Sequence, residues 1–451
     1  MPTEPLYQTT ARPEVIMRNN QTYIFQNGLT IITPIDPARD IHQLYELLSG
    51  IGNNINKQET IRFQAMKTLH FARWFIIEGA ADAAGNAFGN SLAFATDFDG
   101  NPHEHLLELL QTSGPGIDQI YGFCKGYPPN GSRSPETVVN YFLSHSQKNQ
   151  LLWSCVRGGT VEQLLGEEKL RQAIQTILKT QQGKLDQLNP EEIRNLIKNY
   201  IAQQPDLRWA LQKRASPKLE WKIQYYGKLV FRLLSLLLLS PVLVFLFIPF
   251  WVFVLSRIFE KRDERKEREK IQPKAIRKLV EKEDHIPMNQ LTIYGTIKKP
   301  YWYRLTTLKI GLWLFATNGT YRSNKGKLSG IETIHFARWC IFNQGKNVMF
   351  LSNYDGAWEI YLSQFIDRSA AAMNLTFGTT VGYPPVRNLF WGGAFDEQAF
   401  KIVVRKNQYP SQVFYSAYPY STAKNQLNNS HIRKGLNGES KESCEEWLKR
   451  L

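Results

Sequence analysis

The second half of the chain carries the plainest alternation of apolar and polar positions. Gln290 to Ile297 is rich in β-branched and aromatic residues and stops at Lys-Lys-Pro, which predicts a strand. Arg304 to Thr317 has apolar residues at helical spacing and ends at Asn318-Gly319, a helix stop. Strands follow at Thr333 to Phe342 and Val348 to Tyr354, joined by a short connection at Asn343 to Lys346. Ala357 to about Met373 reads as a helix, and Leu375 to Val381 as a strand halted by Gly-Tyr-Pro-Pro. The first half repeats this order: Leu29 to Ile32 matches Leu291 to Tyr294, and a helix is expected from about Ala38 to Gly50.

The two halves also share motifs. His70-Phe71-Ala72-Arg73-Trp74 recurs as His335-Phe336-Ala337-Arg338-Trp339, Asp99-Gly100 as Asp355-Gly356, and Gly126 to Pro129 as Gly382 to Pro385. From Asp99 to Pro129 and from Asp355 to Pro385 the register between copies is constant, and the first copy carries extra residues in the hairpin around Gly79 to Ser91. A period this long is a duplicated domain rather than a solenoid. The order β-α-β-β-α-β is the split plan of a ferredoxin-like sheet. After that core each copy adds a helix, a strand and a helix, with Trp153-Ser154 matching Tyr415-Ser416. The expected fold class is therefore α+β, with two tandem ferredoxin-like domains and a central helical membrane segment. The expected boundaries are a tail at 1–28, repeat 1 at 29–178, a helical linker at 179–288, repeat 2 at 289–437 and a tail at 438–451.

The linker contains the membrane segment, placed at about 229–257. Every residue from Leu233 to Ser256 is uncharged, and a helix of that length would reach about 36 Å, enough for a hydrocarbon core of roughly 30 Å. Pro241 and Pro249 would kink or break it. A single span would separate the two copies, whereas a re-entrant or in-plane hairpin near Pro241 would leave both on one side. The second arrangement is favoured, with both repeats on the cytoplasmic face, because basic residues flank both ends and give no positive-inside bias.

Composition changes this picture in two ways. The net charge of +15 would suit nucleic acid, but fourteen Lys or Arg lie in the windows Lys213 to Arg232 and Arg257 to Lys274. A basic collar beside an apolar segment suits anionic lipid headgroups, and no base-reading motif accompanies it, so no nucleic-acid partner is expected. The dense run Glu260 to Lys270 reads as a solvated helix at the membrane surface. Four dispersed cysteines, Cys124, Cys155, Cys340 and Cys444, form no metal pattern and suit a reducing compartment. The start of the chain shows no apolar signal region.

Candidate chemistry rests on the repeated motifs. In a strand His70, Ala72 and Trp74 share one face, and Phe71, Arg73 and Phe75 the other. A His and an Arg would then converge only across copies, with sheets face to face. Otherwise Arg73 and Arg338 pair with carboxylates at a domain edge, and His70 and His335 satisfy backbone groups. Asp99 and Asp355 end strands that lead into helices, so each caps the following helix or acts as an acid, base or ligand-orienting carboxylate. Asp355 has Trp358 and Tyr361 beside it, making the second copy the better site: Asp355 and Arg338 would retain a ligand, while Asp99 and Arg73 would serve stability. Asn428 to Ser430 reads as a helix cap, and His103 and His105 diverge too far to chelate one metal, so no metal site is expected.

The tandem ferredoxin-like order resembles the dimeric α/β-barrel superfamily, and the repeated Asp-Gly elements resemble the GxxDG motif of dye-decolourising peroxidases. The first Gly of that motif is Thr96 or Ser352 here. The resemblance implies haem, with Asp99 or Asp355 as distal acid, Arg73 or Arg338 as its partner, and His70, His335 or His431 as iron ligand. The whole chain is similar to a group of bacterial membrane-attached proteins of this layout, a likeness that carries no activity. The leading expectation is a membrane-attached, haem-peroxidase-like oxidoreductase acting on a hydrophobic or lipid-derived substrate. The alternatives are a non-catalytic membrane-associated binding or scaffold protein, and a cofactor-free monooxygenase or isomerase. Expected partners are membrane lipids and a hydrophobic small molecule, and a homo-oligomer is compatible with the duplication.

Overall fold

A computed structural model describes residues 25–57, 59–214, 219–263, 273–281, 283–317 and 326–451. The first half contributes β1 (Gln26–Pro34), α1 (Ile41–Asn53), β2 (Leu69–Ile77), β3 (Ser91–Asp99), α2 (Pro102–Tyr121), α3 (Pro135–Ser144), β4 (Asn149–Ser154) and α4 (Val161–Thr180). After α5 (Pro190–Gln203) and α6 (Leu219–Val242), the second half contributes β5 (Met288–Thr296), α7 (Tyr301–Phe315), β6 (Ile334–Phe342), β7 (Asn347–Asp355), α8 (Trp358–Phe377), α9 (Glu397–Lys406), β8 (Val413–Ser416) and α10 (Ala423–Leu436). A short helix, Cys444–Leu448, follows.

The strands form two four-stranded antiparallel sheets, ordered β1-β3-β2-β8 and β4-β6-β7-β5. This is an α+β architecture, but neither sheet closes into a barrel. The outer strands are exchanged. β8, from the second half, pairs with β2 from Val413 opposite Trp74 to Ser416 opposite Phe71, and β4, from the first half, pairs with β6 from Asn149 opposite Cys340 to Ser154 opposite Phe336. The strand expected at Leu375 to Val381 is not the one that completes the sheet. Helix α8 runs on through Phe377, and Thr380 makes only an isolated bridge to Ile297. A short apolar run does not distinguish a buried strand from the end of a buried helix.

β2 is buried along its whole length, and β6 at every position but Ile341, because each is covered on both faces. On one face of β2, Trp74 stacks on Phe63 and Phe94 beneath the helices. On the other, Phe75 and Ile77 meet Cys340, Phe342, Met349 and Leu351 of the second sheet. Trp339 repeats the helix-side role against Phe315 and Phe350. The layers run helices, sheet, sheet, helices. α4 and α10 pack on one another beside this sandwich, over a separate small core built with α5 and Trp447.

The apolar segment does not form one spanning helix. No single helix among the described residues is long and apolar enough to cross a membrane; Leu229–Val242 and Val244–Glu260 pass that test only as a pair bent by 53°. The bend lies between Pro241 and Pro249, among π-helical turns at Leu243–Phe247 and Phe250–Leu255. Each proline removes an amide donor and clashes with the preceding turn, so the helix cannot run straight through. Most of the surface helix expected at Glu260 to Lys270 lies outside the described residues.

Candidate functional site

The repeated motifs come together at the interface between the sheets. In β2 the register shifts between Leu69 and Phe71, and in β6 between Ile334 and Phe336. His70 and His335 each sit at that irregularity, so strict alternation does not fix where they point. The His70 ring lies 5.0 Å from Phe336 and the His335 ring 5.6 Å from Phe71, each against an aromatic of the other copy.

Each histidine holds the aspartate of its own copy. His70 Nε2 is 2.9 Å from Asp99 Oδ1, and His335 Nε2 is 2.7 Å from Asp355 Oδ1. The other carboxylate oxygen accepts an amide at the start of a distant helix. Val161 N donates to Asp99 at 2.8 Å, and Ala423 N to Asp355 at 2.7 Å. The aspartates therefore add a second cap to α4 and α10, beside the N-cap residues Thr160 and Thr422, and do not cap the helices that follow them in sequence. Asn101 caps α2. A carboxylate at a helix N-terminus meets the positive end of the helix dipole, so each His–Asp pair latches a sheet to one of the two paired helices.

The arginines take a different course. Arg73 crosses to the second sheet and donates to Gln290 Oε1, Leu291 O, Thr292 Oγ1, Ser352 O and Asn353 Oδ1. Arg338 crosses the other way to Thr96 O and to Asp97, 2.9 Å away. Asn353 Nδ2 donates to the second oxygen of Asp97 at 2.8 Å. Both arginines are about 1% exposed, and burial lowers the Arg73 guanidinium to about 9. They form a cross-sheet interlock in the interior, not a domain-edge pair, and Arg–His convergence on one ligand does not occur.

The two copies differ at this layer. His70 Nδ1 is 2.9 Å from the Tyr418 hydroxyl. The residue matching Tyr418 in the first copy is Val156, which has no hydroxyl, and His335 Nδ1 is buried without a partner among the described residues. Gly28 stands where the second copy has Gln290; a Cβ there would lie 2.3 Å from Arg338 Nη1.

The residues expected to favour the second copy are used structurally. Tyr361 stacks on Tyr354 at 3.8 Å and donates to Ser352 Oγ, while Trp358 lies under the Arg405 guanidinium at 3.7 Å. Asn428, Asn429 and Ser430 lie inside α10, whose cap is Thr422. His431 is half-buried on the same helix, where burial, Arg450 and Lys434 lower its pKa. The haem expectation meets the same geometry. Among the described residues no group of three His, Cys, Asp or Glu could hold a metal. His70 has both ring nitrogens engaged, and His335 is enclosed by Phe71 and Tyr418. These residues do not fit an iron ligand.

Among the described residues there are several concave features, including a groove of about 370 Å³ lined by Met288, Gln290, Gln412 and Phe414 and one of about 490 Å³ along Ile223, Tyr226 and Phe231 of α6. A small apolar cavity lies between β5 and α8, lined by Leu291, Phe350, Phe365 and Tyr383. A groove of about 900 Å³ lies between the apolar segment and α7 and α8. Nothing in the repeated motifs pointed to it; the signal was the run of small residues Ala370 to Ala372 on α8. Sequence reasoning also passed over Asp97 and Tyr418, whose partners lie in the other half of the chain. Comparison with protein-family models, with curated proteins and with solved structures finds no match, so neither the α/β-barrel superfamily nor the peroxidase resemblance is supported.

Proposed function

We propose that this chain is a non-catalytic, membrane-associated binding or scaffold protein, held on one face of a bilayer by its apolar elbow. The observation that carries the proposal is that both ends of the elbow rest on one helix. Arg232 donates to Thr317 and lies over Trp313, just past and within the end of α7. Trp251 Nε1 donates to Thr307 Oγ1 at 3.0 Å, and Phe259 O accepts from Arg304 at 3.0 Å. On a helix the contacts at Thr307 and Thr317 are only about 15 Å apart. Between these feet, Leu237, Leu238, Phe245 and Leu246 are each more than 65% exposed. An apolar surface of this extent needs an apolar environment, and feet this close favour insertion from one side over a crossing.

The second foot is clamped by charge. Asp263 is 2.8 Å from both Lys298 and Arg304, and Glu260 accepts from the amides of Asn388 and Leu389. The scaffold reading is favoured because the Asp, His and Arg of both motifs are spent on holding sheets and helices together. In this reading each half is a split β-α-β unit that has lent its last strand to the other. The cytoplasmic side is part of the proposal, supported by the basic residues at both flanks.

Changing Leu237, Val244 and Phe247 together to Asp tests the attachment. Charges near a bilayer centre cost roughly 2.5–3.5 kcal/mol each. The triple variant should leave vesicles of phosphatidylcholine with 30% phosphatidylglycerol, with thermal unfolding of the sandwich unchanged. Release of the wild-type protein by high salt alone would refute a hydrophobic anchor.

A further inference from the structure

We infer that the groove between the apolar elbow and the second repeat holds one acyl chain of an anionic phospholipid drawn from the surrounding bilayer. The inference rests on the membrane reading above and deepens it by naming a ligand. One wall is the first arm of the elbow, through Leu229, Leu233 and Leu236. The opposite wall is α7 and α8, through Leu314, Phe315 and Leu375, and the lining is apolar apart from Thr317. At about 900 Å³ the groove lies in the roughly 300–1,000 Å³ range of small-molecule sites.

Small residues make that space. Gly311 approaches α8 so closely that a Cβ would lie 2.9 Å from Leu375 Cγ, and Ala371 and Ala372 present no side chain beyond a methyl group. Three features of the site identify the occupant as a membrane lipid. The groove is continuous with the surface of Leu233, Leu234 and Leu237, which are more than half exposed and would lie in lipid, so a chain in the bilayer reaches it without crossing water. Thr317 supplies the one polar side chain of its lining, which suits a saturated hydrocarbon. Arg232 lies beside Thr317, a lining residue, and over Trp313, where its charge favours a phosphate headgroup over a neutral one.

Full-length protein would be equilibrated with vesicles of phosphatidylcholine containing 30% phosphatidylglycerol, re-isolated in detergent, and its retained lipid counted by mass spectrometry. The expected result is about one phospholipid per chain, with phosphatidylglycerol enriched several-fold over its share of the vesicle. Ala371→Trp fills the groove from an exposed position and should lower retention at least ten-fold, with vesicle co-sedimentation unchanged. Arg232→Gln should retain lipid but lose the phosphatidylglycerol enrichment. Equal retention by wild type and Ala371→Trp would overturn the groove while leaving the anchor intact, and recovery of free fatty acid in place of phospholipid would overturn the bilayer source. If wild type fails to co-sediment with vesicles at all, the membrane reading itself falls.

Discussion

The Arg338–Asp97 pair joins the two sheets with its side chains 2% and 4% exposed, so its contribution can be isolated by a double-mutant cycle. Arg338→Met removes the guanidinium but keeps most of the side-chain volume. Asp97 is then left as a buried carboxylate whose remaining side-chain partner is Asn353 Nδ2. An uncompensated buried charge of this kind costs about 3–5 kcal/mol. Asp97→Asn leaves the opposite charge unpaired and should cost a similar amount. The double variant has neither charge, and replacing a buried pair with well-packed neutral groups is often close to neutral. The singles should therefore fall far below the double, with a coupling of about 3 kcal/mol or more. Thermal unfolding followed by near-ultraviolet circular dichroism would read this from Trp74 and Trp339 in the two sheets. At roughly 2 °C per kcal/mol for a large unit, each single variant should unfold about 6 °C or more below wild type. Arg73→Met supplies the comparison: its five hydrogen-bond acceptors are neutral and it feels the Asp97 charge without bonding to it, so Asp97→Asn should rescue it less than Arg338→Met. A coupling below about 0.5 kcal/mol, the scatter of independent sites, would refute the interlock.

Three other outcomes follow from single residues. His105 is stacked on Phe98 at 3.9 Å, and burial lowers its pKa to about 3. Between pH 6.5 and 3 the unfolded chain takes up a proton there and the folded chain does not, so stability falls as pH falls; His105→Phe should flatten that loss, on the order of 1 kcal/mol per pH unit, in urea titrations at stepped pH. Gly52 of α1 faces the chain entering β8, where a Cβ would lie 2.0 Å from Gln412 O; Gly52→Ala should destabilise by about 1–3 kcal/mol and raise protease sensitivity around residues 407–417. Burial raises the thiols of Cys124 and Cys340 to about 12, and Cys155 is raised further, whereas Cys444 is partly exposed. Timed alkylation of native protein should modify Cys444 first and the other three only on unfolding, which makes Cys444 the position for testing membrane sidedness.

Much of the local structure was legible because periodicity is a local signal. The strands expected at Thr333 to Phe342 and Val348 to Tyr354 are present as Ile334–Phe342 and Asn347–Asp355, and the helix from Ala357 begins at Trp358. What was not legible is the pairing of the outer strands. Trp153-Ser154 and Tyr415-Ser416 were recognised as equivalent, but equivalence does not say which sheet each joins. Only packing decides that, and each joins the sheet of the other copy. The helix caps failed for the same reason: Asp99 and Asp355 do cap helices, at positions far along the chain where no sequence window would look. The barrel expectation rested on the element order, and neither sheet closes; the peroxidase expectation rested on the Asp-Gly elements, whose aspartates are held by histidines and helix amides.

The exchange also gives both copies of the motif a structural role. Each arginine acts on the sheet opposite its own, so the loss of either leaves unpartnered polar groups in the other half, and neither copy can drift alone. The asymmetry within the layer supports this. Where the second copy supplies Gln290 and Asn353 to Arg73, the first supplies Gly28 and Asp97 to Arg338. One arginine is held by several neutral acceptors, the other by a carboxylate in a space kept open by glycine. These are two solutions to one problem, the burial of a guanidinium between sheets. A duplicated active site that had kept its chemistry in one copy would show a solvent-reaching cluster on one side and a filled-in remnant on the other. Here both arginines and both histidines are equally buried, and the groove beneath the apolar elbow lies on residues outside the repeated motifs.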